Sequence, residues 1–590
     1  MLDEIKSPLD IKRYSIAELQ LLSDEIRNFL IDSISKTGGH IGANLGVVEL
    51  TVALHYVFDA PADKIIFDTG HQGYTHKLLT GRKERFKTLN EIDGMSRFLS
   101  KCESPFDIIE ASHAGTAIPI ATGFALSNKL NNKKEYVIAF VGDGALVEGM
   151  SAEGLNFAVA SNLPMIIVIN DNGMSIPPNI GAIKNLFSGA DWQEKSRAHF
   201  SGMGFRYIAV DDGHDLNKLI SAFLAVKSIY DDGAIIVHVK TEKGRGLAIA
   251  KNHKYKLHFS MPFDPVTGQG SSPLPAGKSF AKVGALKLNE VMRSDSDVIA
   301  ITPATPYASD LDQCLADFPE RVIDVGMAEQ QAMGLAAGLA LAGKKPFVCY
   351  QSTFMQRAFD QIIHDACYMN LPITILCVRS GFAGFDGPTH HGIYDISYLR
   401  GLPNLKLFYP GHSSDLEAMI EARAKDPAGP MIILYPYENV PNDEDGYKED
   451  KLDIRKPQVV YSGADGYILT VGNRLETALT LRVLLQESGK DFGVINIRWL
   501  KPLPSDWLEE TIKKVPDAIT LEENIIDAGF GSLITELICR NNLNCRIFCS
   551  AIEKDFIKAG DKKTLSENSG IDAQSIFQRL KNVWNLTRRT

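Results

Sequence analysis

The sequence lacks several features by which common classes of protein are identified. Its eight cysteines include no CxxC pair and no zinc-type spacing, so neither a disulfide framework nor a zinc site has support. The net charge of −10 argues against nucleic acid or an anionic membrane as the main partner. No apolar run is long enough to span a bilayer, and the N-terminus MLDEIKSPLDIKRYS lacks the apolar segment of a signal peptide. We therefore expect a cytoplasmic protein with reduced cysteines and with no nucleic-acid or membrane partner.

The length of the chain predicts several domains, because 590 residues exceed what a single hydrophobic core supports. With 45% apolar and 23% charged residues, the composition is that of a globular protein. Residues 251–279, rich in Lys, Pro, Gly and Ser, and the acidic residues 440–458 are predicted to be linkers. Domains are accordingly predicted at 1–262, 279–440 and 458–590. The predicted fold class is α/β, with a mostly parallel sheet flanked by helices in each domain.

Residues 135–174 contain the pattern around which the first domain is organised. An apolar, β-branched run ends in the motif GDG at 142–144, a helical stretch follows, and a second apolar run ends in NDN at 170–172. Strand, helix and strand in this order form a βαβ unit, whose strands are parallel and joined by a right-handed crossover. We therefore expect Asp143 and Asn172 to emerge at the same carboxyl edge of the sheet, where α/β folds bind ligands.

The side chains predicted at this edge suit a magnesium ion and a diphosphate. Asp143 offers a carboxylate and Asn172 a side-chain carbonyl, and both are the hard oxygen ligands that Mg²⁺ prefers. Gly144 would let a phosphate approach the backbone, and a helix predicted to begin near Ala145 would point free N–H groups toward it. GDG alone also occurs in ordinary strand–turn–helix connections, but GDG, 25 residues (145–169) and then NDN is the spacing that marks thiamine diphosphate enzymes. The sequence therefore predicts a thiamine diphosphate site.

Three histidines are predicted to lie in turns of small residues at the same edge. His40 lies in a glycine-rich turn, His71 follows a predicted strand at 64–67, and His113 follows an apolar run at 106–109 that is also predicted to be a strand. One such histidine alone is most often structural, but the recurrence of the pattern favours a phosphate-lined pocket. Five further histidines are interpreted as core side chains or have no functional context: His55, His76, His199, His214 and His238.

Together, these motifs resemble those of one enzyme family. GGHIGANLG, DTGHQG, SHAGT, GDGALVEGM and NDNGMSI are similar, in kind and in order, to the first domain of the 1-deoxy-D-xylulose 5-phosphate synthases of the transketolase superfamily. The likeness continues in TEKGRG and HFSMPFDPVTG and covers nearly the whole chain. It implies a transketolase-like fold that binds thiamine diphosphate with Mg²⁺, followed by the superfamily's C-terminal domain, in a protein that is typically a homodimer.

The resemblance also implies roles for residues of the first domain. Mg²⁺ would be held by Asp143, Asn172 and the backbone carbonyl of Met174, while His40 and His258 would face the substrate. The implied cofactor contacts in this domain are His71, His113, Ala114, Gly115, Gly144, Ala145, Asn172 and Lys243. A histidine in such a place can donate to an oxyanion or move a proton near neutral pH.

In the second domain the resemblance centres on the stretch DVGMAEQQA. Its Glu329 matches the glutamate that shares a proton with the cofactor's pyrimidine ring, a role that suits a partly desolvated carboxyl group with a raised pKa. Phe354 matches the aromatic residue that stacks on this ring, and it lies with Arg357 in a stretch similar to the family's STF-x-QRA pattern.

The resemblance extends to the substrate channel, whose lining positions are matched by Arg379, Asp386 and His390. Arg379 could pair with a carboxylate or a phosphate, and the other two could bind hydroxyl groups or move protons. The third domain contains RWLKPLP and LEENIIDAGFGS, which are similar to the superfamily's C-terminal domain. No residue of this third domain is predicted to be catalytic, so a role in assembly is expected of it.

Several departures from the family pattern concern the substrate. Tyr437 stands where a second phosphate-binding arginine is expected, Gln351 where a tyrosine is expected, and Gln331 where a histidine is expected. The segment that follows NDN, at 184–206, is also short for the family, which could leave the site more open. Loss of one charge-assisted phosphate contact costs about 1.5–3 kcal/mol. The acceptor is therefore the part of the function that the sequence determines least.

The predicted reaction decarboxylates pyruvate and adds the two-carbon unit to an aldehyde such as glyceraldehyde 3-phosphate. The family resemblance links such a product to isoprenoid and thiamine biosynthesis. Two other enzymatic functions stay open: the same reaction with a different, unphosphorylated acceptor, and a transketolase-type transfer of two carbons from a ketose. An inactive scaffold is the alternative from another class of protein, and the complete GDG, NDN and Glu329 disfavour it.

Overall fold

The computed structural model describes residues 1–271, 278–440, 453–553 and 556–584. The chain forms two compact units, one made of Met1–Leu274 with Val325–Ala328 and the other of Pro275–Asp324 with Glu329–Thr590. Most of the predicted linker at 440–458 lies outside the described residues. Among the described helices, none combines the length and the apolar character needed to cross a membrane.

The first unit is built on a parallel sheet whose strands are β1 (Lys64–Phe67), β2 (Val137–Gly142), β3 (Met165–Asp171), β4 (Arg206–Val210) and β5 (Ala234–Lys240). The strands lie in the order β1-β2-β3-β5-β4. The helices of this unit are α1 (Ile16–Thr37), α2 (Ile41–Leu45), α3 (Val48–Val57), α4 (Tyr74–Leu79), α5 (Ala117–Asn131), α6 (Gly149–Ala160), α7 (Gly181–Phe187), α8 (Trp192–Met203), α9 (Leu216–Ser228) and α10 (Ala248–Asn252).

The predicted βαβ unit around GDG and NDN is confirmed. Strands β2 and β3 are parallel neighbours, and Gly142 is paired with Asn170 at their carboxyl ends. All seven residues of β3 are buried, as expected of a central parallel strand that is covered on both faces. Ile166 packs with the apolar cluster that includes α1, α3 and α9, whereas Ile167 packs with the cluster that includes α5 and α6. The sheet therefore holds the two motifs side by side between two layers of helices.

The predicted strand at 106–109 was wrong, because this segment is irregular. Its position is set by ionic contacts instead of a strand ladder: the buried carboxylate of Asp107 accepts hydrogen bonds from Arg82 at 2.7 and 2.8 Å. The same carboxylate lies 3.0 Å from His76, whose other ring nitrogen lies 2.9 Å from His55. A buried polar chain thus replaces the predicted strand, and it includes two of the histidines for which the sequence indicated no function.

The helix predicted to begin near Ala145 begins at Gly149 instead. A 3-10 turn at Asp143–Val147 separates it from β2. Short 3-10 turns are common at helix termini, where they tighten the entry of the chain. Asp143 and Gly144 of the GDG motif therefore lie in this turn and not in the first turn of α6.

The short segment at 184–206 forms most of the two helices α7 and α8. Phe187 and Phe200 from these helices are buried in the apolar cluster on the α5–α6 side of the sheet. The side-chain ammonium of Lys240, at the end of β5, donates to the carbonyl oxygen of Phe187. The segment is therefore packed onto the first unit.

The second unit contains two sheets. The strands of the larger sheet are β6 (Val298–Thr302), β7 (Val322–Asp324), β8 (Lys345–Gln351), β9 (Thr374–Ser380), β10 (Lys406–Phe408), β11 (Met431–Pro436) and β15 (Trp499–Lys501). They lie in the order β15-β10-β11-β9-β8-β6-β7, and β15 alone of these described strands is antiparallel to its neighbour. The accompanying helices are α11 (Phe280–Ser294), α12 (Asp312–Asp317), α13 (Glu329–Leu341), α14 (Ser352–Met355), α15 (Phe359–Gln361), α16 (Asp395–Leu399) and α17 (Ser413–Lys425).

The smaller sheet consists of β12 (Gln458–Tyr461), β13 (Gly466–Thr470), β14 (Phe492–Asn496), β16 (Asp517–Ile525) and β17 (Arg546–Ile552). It has the order β12-β14-β13-β16-β17 and is parallel apart from β12 at its edge. Its helices are α18 (Leu475–Glu487), α19 (Ser505–Ile512), α20 (Phe530–Arg540), α21 (Lys562–Asn568) and α22 (Ala573–Trp584).

Three mostly parallel sheets flanked by helices confirm the predicted fold class. The domain limits at 1–262, 279–440 and 458–590 stay predictions. The predicted third domain contributes β15 to the sheet of the second, because Trp499 and Lys501 pair with β10. These two parts of the chain are accordingly packed within one compact unit.

Candidate functional site

In the first unit, the turn after β3 is joined to the residue that follows β2. One carboxylate oxygen of Asp143 accepts the backbone N–H groups of Asn172, at 3.1 Å, and Gly173, at 2.6 Å. The side-chain oxygen of Asn172 accepts the N–H of Met174 at 3.1 Å. The parallel pairing of β2 and β3 therefore brings the three predicted metal ligands into one hydrogen-bonded turn.

The charge on Asp143 is poorly compensated by protein groups. Burial, together with the neighbouring carboxylate of Asp171, raises the pKa of Asp143 to about 7. Burial also opposes ionisation of Asp171, but hydrogen bonds from His238 and Lys240 outweigh it and hold the pKa of Asp171 below its usual range. A divalent cation beside Asp143 would favour its ionised form. The local electrostatics thus fit a cation at this turn.

A buried network that the sequence did not reveal supports the same turn. Asp171 accepts from His238 Nε2 at 2.8 Å and pairs with Lys240, and Tyr207 lies 2.9 Å from the other ring nitrogen of His238. The second oxygen of Asp171 accepts the N–H of Gly173 at 3.2 Å. These side chains come from three neighbouring strands, and no local motif marks them in the sequence.

Three of the predicted histidines form one cluster. The ring centroids of His40 lie 5.6 Å from His71 and 5.5 Å from His258, and the latter two rings are 5.1 Å apart. Burial, followed by the charge of Lys243, lowers the pKa of His71 to about 3 and holds that of His258 well below its usual value. The buried Nδ1 atoms of His71 and His258 make no hydrogen bond with the described residues. Both rings are therefore neutral and have a ring nitrogen left for a ligand.

Two side chains that sequence reasoning missed tie the histidine-bearing turns together. The amide of Asn44 donates to the carbonyl oxygens of His40 at 2.7 Å and His71 at 2.8 Å. The carboxylate of Asp68 accepts the N–H groups of Gly115 and Ala117, each at 3.0 Å. Asn44 and Asp68 lie inside the motifs quoted above, but the sequence alone did not predict which groups they contact.

His113, which the sequence also predicted to be functional, lies with its neighbours in the turn before α5. His113 and Ala114 are half-buried there, whereas Gly115 is buried with a left-handed φ of 76°. The N–H of Gly115 donates to the carboxylate of Asp68 at 3.0 Å, which fixes the backbone of this turn. The cofactor contacts of His113, Ala114 and Gly115 stay predictions.

Lys243 and Gly144 are two further residues of the predicted diphosphate site. Burial lowers the pKa of Lys243 to about 7, although the charge of Asp143 acts in the opposite direction. The ammonium of Lys243 donates to the carbonyl oxygen of Ser175. A Cβ atom at Gly144 would lie 2.6 Å from the Cβ of Ser175, so glycine is required for this close approach. Ala145 is buried beside it.

These features fit a diphosphate bound through Mg²⁺. The unpartnered nitrogens of His71 and His258 can donate to an anionic ligand, and a phosphate would stabilise the protonated form of Lys243. Within the described residues there is no cluster of three or more His, Cys, Asp or Glu that could hold a metal by themselves. A metal here would depend on amide and carbonyl oxygens and on the ligand's own oxygens, as is typical of Mg²⁺.

In the second unit, Glu329 is the first residue of α13 and only 4% exposed. Its carbonyl oxygen accepts the hydroxyl of Tyr350 at 2.6 Å, which anchors the start of the helix to β8. Phe354 lies in α14, immediately after β8, and its ring is 5.4 Å from that of His390 in an edge-to-face arrangement. Arg357 follows, half-buried, in a 3-10 turn. Phe354 and His390 are thus brought together by the fold.

Arg379 projects from a bulge near the end of β9. Val378 and Ser380 pair with successive residues of β11, so Arg379 is the extra residue, and its φ is +65°. Bulges redirect side chains, and a positive φ in a non-glycine residue costs about 1–3 kcal/mol that the surroundings must offset. Its guanidinium pairs with Asp386 at 3.0 Å and lies 4.2 Å from the ring centroid of Tyr437.

The loop that carries Asp386 and His390 is held by the C-terminal part of the chain. Glu523, in β16, accepts the N–H of Phe382 at 2.6 Å, and a Cβ at Gly381 would lie 2.4 Å from it. His391 accepts the N–H of Ala383 at 2.9 Å through one ring nitrogen. Besides the assembly role predicted for it, the C-terminal part of the chain therefore helps to position this loop.

Lys562, at the start of α21, reaches the same region. Its ammonium donates to the carbonyl oxygen of Tyr437 at 2.6 Å and pairs with Glu438 at 3.2 Å. Sequence reasoning missed Glu523 and Lys562 because they lie far along the chain from the residues that they contact. The family-like stretch LEEN contains Glu523, whereas nothing in the sequence marked Lys562.

Three family models match the chain. Residues 2–199 match the model described as 1-deoxy-D-xylulose-5-phosphate synthase. Residues 277–442 match the transketolase pyrimidine binding domain, and residues 456–576 match the transketolase C-terminal domain. The order of these matches is the order expected from the sequence motifs.

The chain is also similar to curated proteins over its whole length. It is 37% identical to 1-deoxy-D-xylulose-5-phosphate synthase 2 of Geobacter sulfurreducens, with 99% of each chain covered. It is 37% identical to 1-deoxy-D-xylulose-5-phosphate synthase of Listeria monocytogenes, with 98% of this chain and 97% of the relative covered. A solved transketolase from Campylobacter jejuni is 17% identical and covers 96% of the chain with a TM-score of 0.45. The chain therefore belongs to the 1-deoxy-D-xylulose-5-phosphate synthase family of thiamine diphosphate-dependent transferases.

Proposed function

We propose that the protein condenses pyruvate with glyceraldehyde 3-phosphate, releasing CO₂ and forming 1-deoxy-D-xylulose 5-phosphate, with thiamine diphosphate and Mg²⁺ as cofactors. The observation that carries the proposal is the joined turn of Asp143 and Asn172, together with a cluster of three histidines, in a chain with full-length relatives of this name. Thiamine diphosphate supplies the carbanion chemistry when it is bound. The residues of this chain supply binding, orientation and proton transfer.

In the first unit we assign the metal to Asp143, Asn172 and the carbonyl of Met174. The raised pKa of Asp143 supports this assignment, because an uncompensated buried carboxylate gains most from a divalent cation. Lys243, His71 and the half-buried turn at His113 and Ala114 would contact the diphosphate. Gly115, Gly144 and Ala145 are the remaining residues of this unit that we assign to the cofactor.

His40 and His258 are assigned to the substrate. Burial lowers the pKa of His258 well below its usual value, so at neutral pH its ring is an uncharged donor or acceptor. Such a group can hydrogen-bond to the carboxylate or carbonyl oxygen of pyruvate and pass a proton without burying a charge. Asn44 positions the backbone of His40 for this task.

In the second unit we assign Glu329 to the pyrimidine nitrogen of the cofactor and Phe354 to the face of that ring, with Arg357 nearby. A carboxyl group that is only 4% exposed can hold a proton at a fixed atom and exclude water from it. His390 and Asp386 would orient the hydroxyl groups of the aldehyde, and Arg379 would bind its anionic end. The expected raised pKa of Glu329 stays a prediction.

The wider context of the reaction is also a proposal. By the resemblance, we infer a cytoplasmic homodimer whose product enters isoprenoid and thiamine biosynthesis. A second candidate function is the same reaction with an unphosphorylated aldehyde. It is favoured by Tyr437, half-exposed where a cation was expected, and by Gln351, which is buried at the end of β8.

A CO₂-release assay with pyruvate, thiamine diphosphate and Mg²⁺ tests the proposal across phosphorylated and unphosphorylated aldehydes. The expected result is CO₂ release that depends on cofactor, metal and aldehyde. Activity only with unphosphorylated aldehydes would favour the second candidate. Failure with pyruvate together with transfer from a ketose would show a transketolase reaction. If calorimetry detects no binding of thiamine diphosphate, all of these enzymatic functions are excluded and a scaffold remains.

A further inference from the structure

Two cations from distant parts of the second unit lie close to the ring of Tyr437. The guanidinium carbon of Arg379 lies 4.2 Å from the ring centroid, and the ammonium nitrogen of Lys562 lies 5.7 Å from it. Tyr437 is 49% exposed, so this cationic surface is open to solvent. Each contact is within the range of a cation–π interaction.

Lys562 is held in place but keeps capacity for a ligand. Its ammonium donates to the carbonyl oxygen of Tyr437 at 2.6 Å and to Glu438 at 3.2 Å. Asn473 donates to the same oxygen of Glu438 at 2.9 Å and so fixes the carboxylate. An ammonium group has three N–H donors, and two are accounted for by these contacts. The Lys562 side chain is 25% exposed, which leaves the third donor within reach of a ligand.

Arg379 also has N–H donors that remain available to a ligand. One terminal nitrogen bonds to Asp386 at 3.0 Å, while the buried Nε has no hydrogen-bond partner among the described residues. A guanidinium group has five N–H donors in a planar fork that matches the oxygens of a phosphate. The bulge and the positive φ of Arg379 direct this fork toward Tyr437.

The two carboxylates balance the charge of the two cations. Asp386 and Glu438 hold Arg379 and Lys562 in position, and they moderate the affinity that two free cations would have for an anion. Charge-assisted hydrogen bonds from the remaining donors are nonetheless available to a phosphate monoester. The ring of Tyr437 lies within 6 Å of both cations and cannot itself neutralise an anion.

We propose that Lys562 acts with Arg379 to bind the phosphate of the acceptor aldehyde, so that the C-terminal part of the chain contributes a residue that determines acceptor specificity. This inference rests on the proposed function and names the residue that replaces the cation missing at Tyr437. The ligand chemistry is a phosphate monoester on a short aldehyde.

The decisive comparison is between Lys562→Gln, which removes the charge at similar length, and Lys563→Gln. Lys563 is adjacent, with its side chain 86% exposed, and pairs only distantly with Glu567 at 4.0 Å. With pyruvate as donor, we expect Lys562→Gln to raise KM for glyceraldehyde 3-phosphate by about ten- to a hundredfold. Its kcat, and its kcat/KM for unphosphorylated D-glyceraldehyde, should stay as in the wild type. Lys563→Gln should match the wild type with both aldehydes.

A second variant predicts the opposite effect. Glu438→Gln removes the carboxylate that pairs with Lys562, so it should lower KM for glyceraldehyde 3-phosphate and leave D-glyceraldehyde unaffected. Calorimetric titration with inorganic phosphate, in the presence of saturating thiamine diphosphate and Mg²⁺ so that the diphosphate site is filled, gives a readout that is independent of turnover. Phosphate should bind more weakly to Lys562→Gln than to Lys563→Gln.

Two outcomes would overturn the inference. Equal losses with both aldehydes would assign Lys562 a structural role, and thermal unfolding would show it. Unchanged KM and unchanged phosphate binding would place the phosphate elsewhere, or show that the acceptor is uncharged. Failure of the proposed function is distinguishable, because the wild type would then release no CO₂ from pyruvate with either aldehyde, whereas the phosphate titration would still report on Lys562.

Discussion

The proposed cofactor region and the proposed acceptor region of this protein differ in how their charged groups are arranged. The cofactor region, defined as His40, His71, His258, Asp143, Asn172 and Lys243, is largely buried. The pKa values of His71, His258, Asp143 and Lys243 are shifted toward the neutral forms, chiefly by burial. The acceptor region, defined as Arg379, Asp386, Tyr437, Glu438 and Lys562, is more exposed and consists of two ion pairs close to an aromatic ring.

This difference indicates how each region gains or loses specificity. In the cofactor region, burial favours the neutral forms of the titratable groups, so a bound metal and a charged ligand would complete the electrostatics. In the acceptor region the charges are already paired, so a substitution changes which ligand is preferred. Changes in the cofactor region should therefore affect every acceptor equally, whereas changes in the acceptor region should discriminate between acceptors.

The largest effect is expected from Glu329→Gln, which keeps the shape of the buried side chain but removes its ionisable carboxyl group. Turnover should fall by about 10²–10⁴-fold, because proton transfer by a positioned group contributes about that much. The fall should be equal with glyceraldehyde 3-phosphate and with D-glyceraldehyde, measured as CO₂ release. Glu320→Gln, at an exposed position, is the matched control. Turnover within tenfold of the wild type, or a loss with only one aldehyde, would contradict the assigned role.

A smaller effect is expected from His238→Phe, which removes two buried hydrogen bonds beneath the turn that we propose binds the metal. Residues that orient ligands of a metal typically change affinity by about 10–100-fold. Thiamine diphosphate binding in the presence of Mg²⁺, measured by calorimetry, should weaken by this factor, while acceptor preference stays unchanged. His199→Phe, at an exposed position, should leave the affinity unchanged. An unaltered affinity in His238→Phe would show that the turn holds its geometry without this network.

The smallest effect concerns pH and the neutral state of His71. Its pKa is about 3 in the folded protein, chiefly because of burial, whereas an unfolded histidine titrates near 6.5. Between these values the unfolded chain binds more protons, so this residue makes the folded state less stable as the pH falls below about 6.5. Going from pH 7.5 to 5.5, it should cost the cofactor-free protein about 1.4 kcal/mol of unfolding free energy.

The variant His71→Asn should lack this contribution. Its loss of stability between the two pH values, measured by urea unfolding, should be smaller than that of the wild type by about 1.4 kcal/mol. His199→Asn, an exposed histidine, should behave like the wild type. Equal losses in wild type and His71→Asn would mean that His71 is charged in the folded protein, and the contrast between the two regions would then fail.

The cofactor region was largely predictable because its residues lie in short motifs at strand ends. Parallel pairing of β2 and β3 follows from a βαβ pattern that is local in the chain, and it brings Asp143 and Asn172 together without further information. The strand predicted at 106–109 was wrong because an apolar run was interpreted as a strand without knowledge of its tertiary contacts. The segment is held by hydrogen bonds from Arg82 to the buried carboxylate of Asp107.

The acceptor region was only partly predictable. Arg379 and Asp386 were named from the sequence, but the bulge that aims the guanidinium depends on the register of β9 with β11. Lys562 contacts Tyr437 across 125 positions of the chain, and no local pattern encodes such a contact. The domain limits and the roles of the individual site residues stay predictions until the experiments above are done.

The sequence by itself determined the α/β class, the order of the motifs and the family, because these depend on apolar periodicity and on short patterns at strand ends. The tertiary structure alone decided which side chains support those motifs: Asn44 between two turns, His238 beneath Asp171, and Lys562 beside Tyr437. The physical reason is that hydrogen bonds and ion pairs depend on distances of a few ångströms. Chain segments that are far apart in sequence reach such distances only when the sheets have formed and packed.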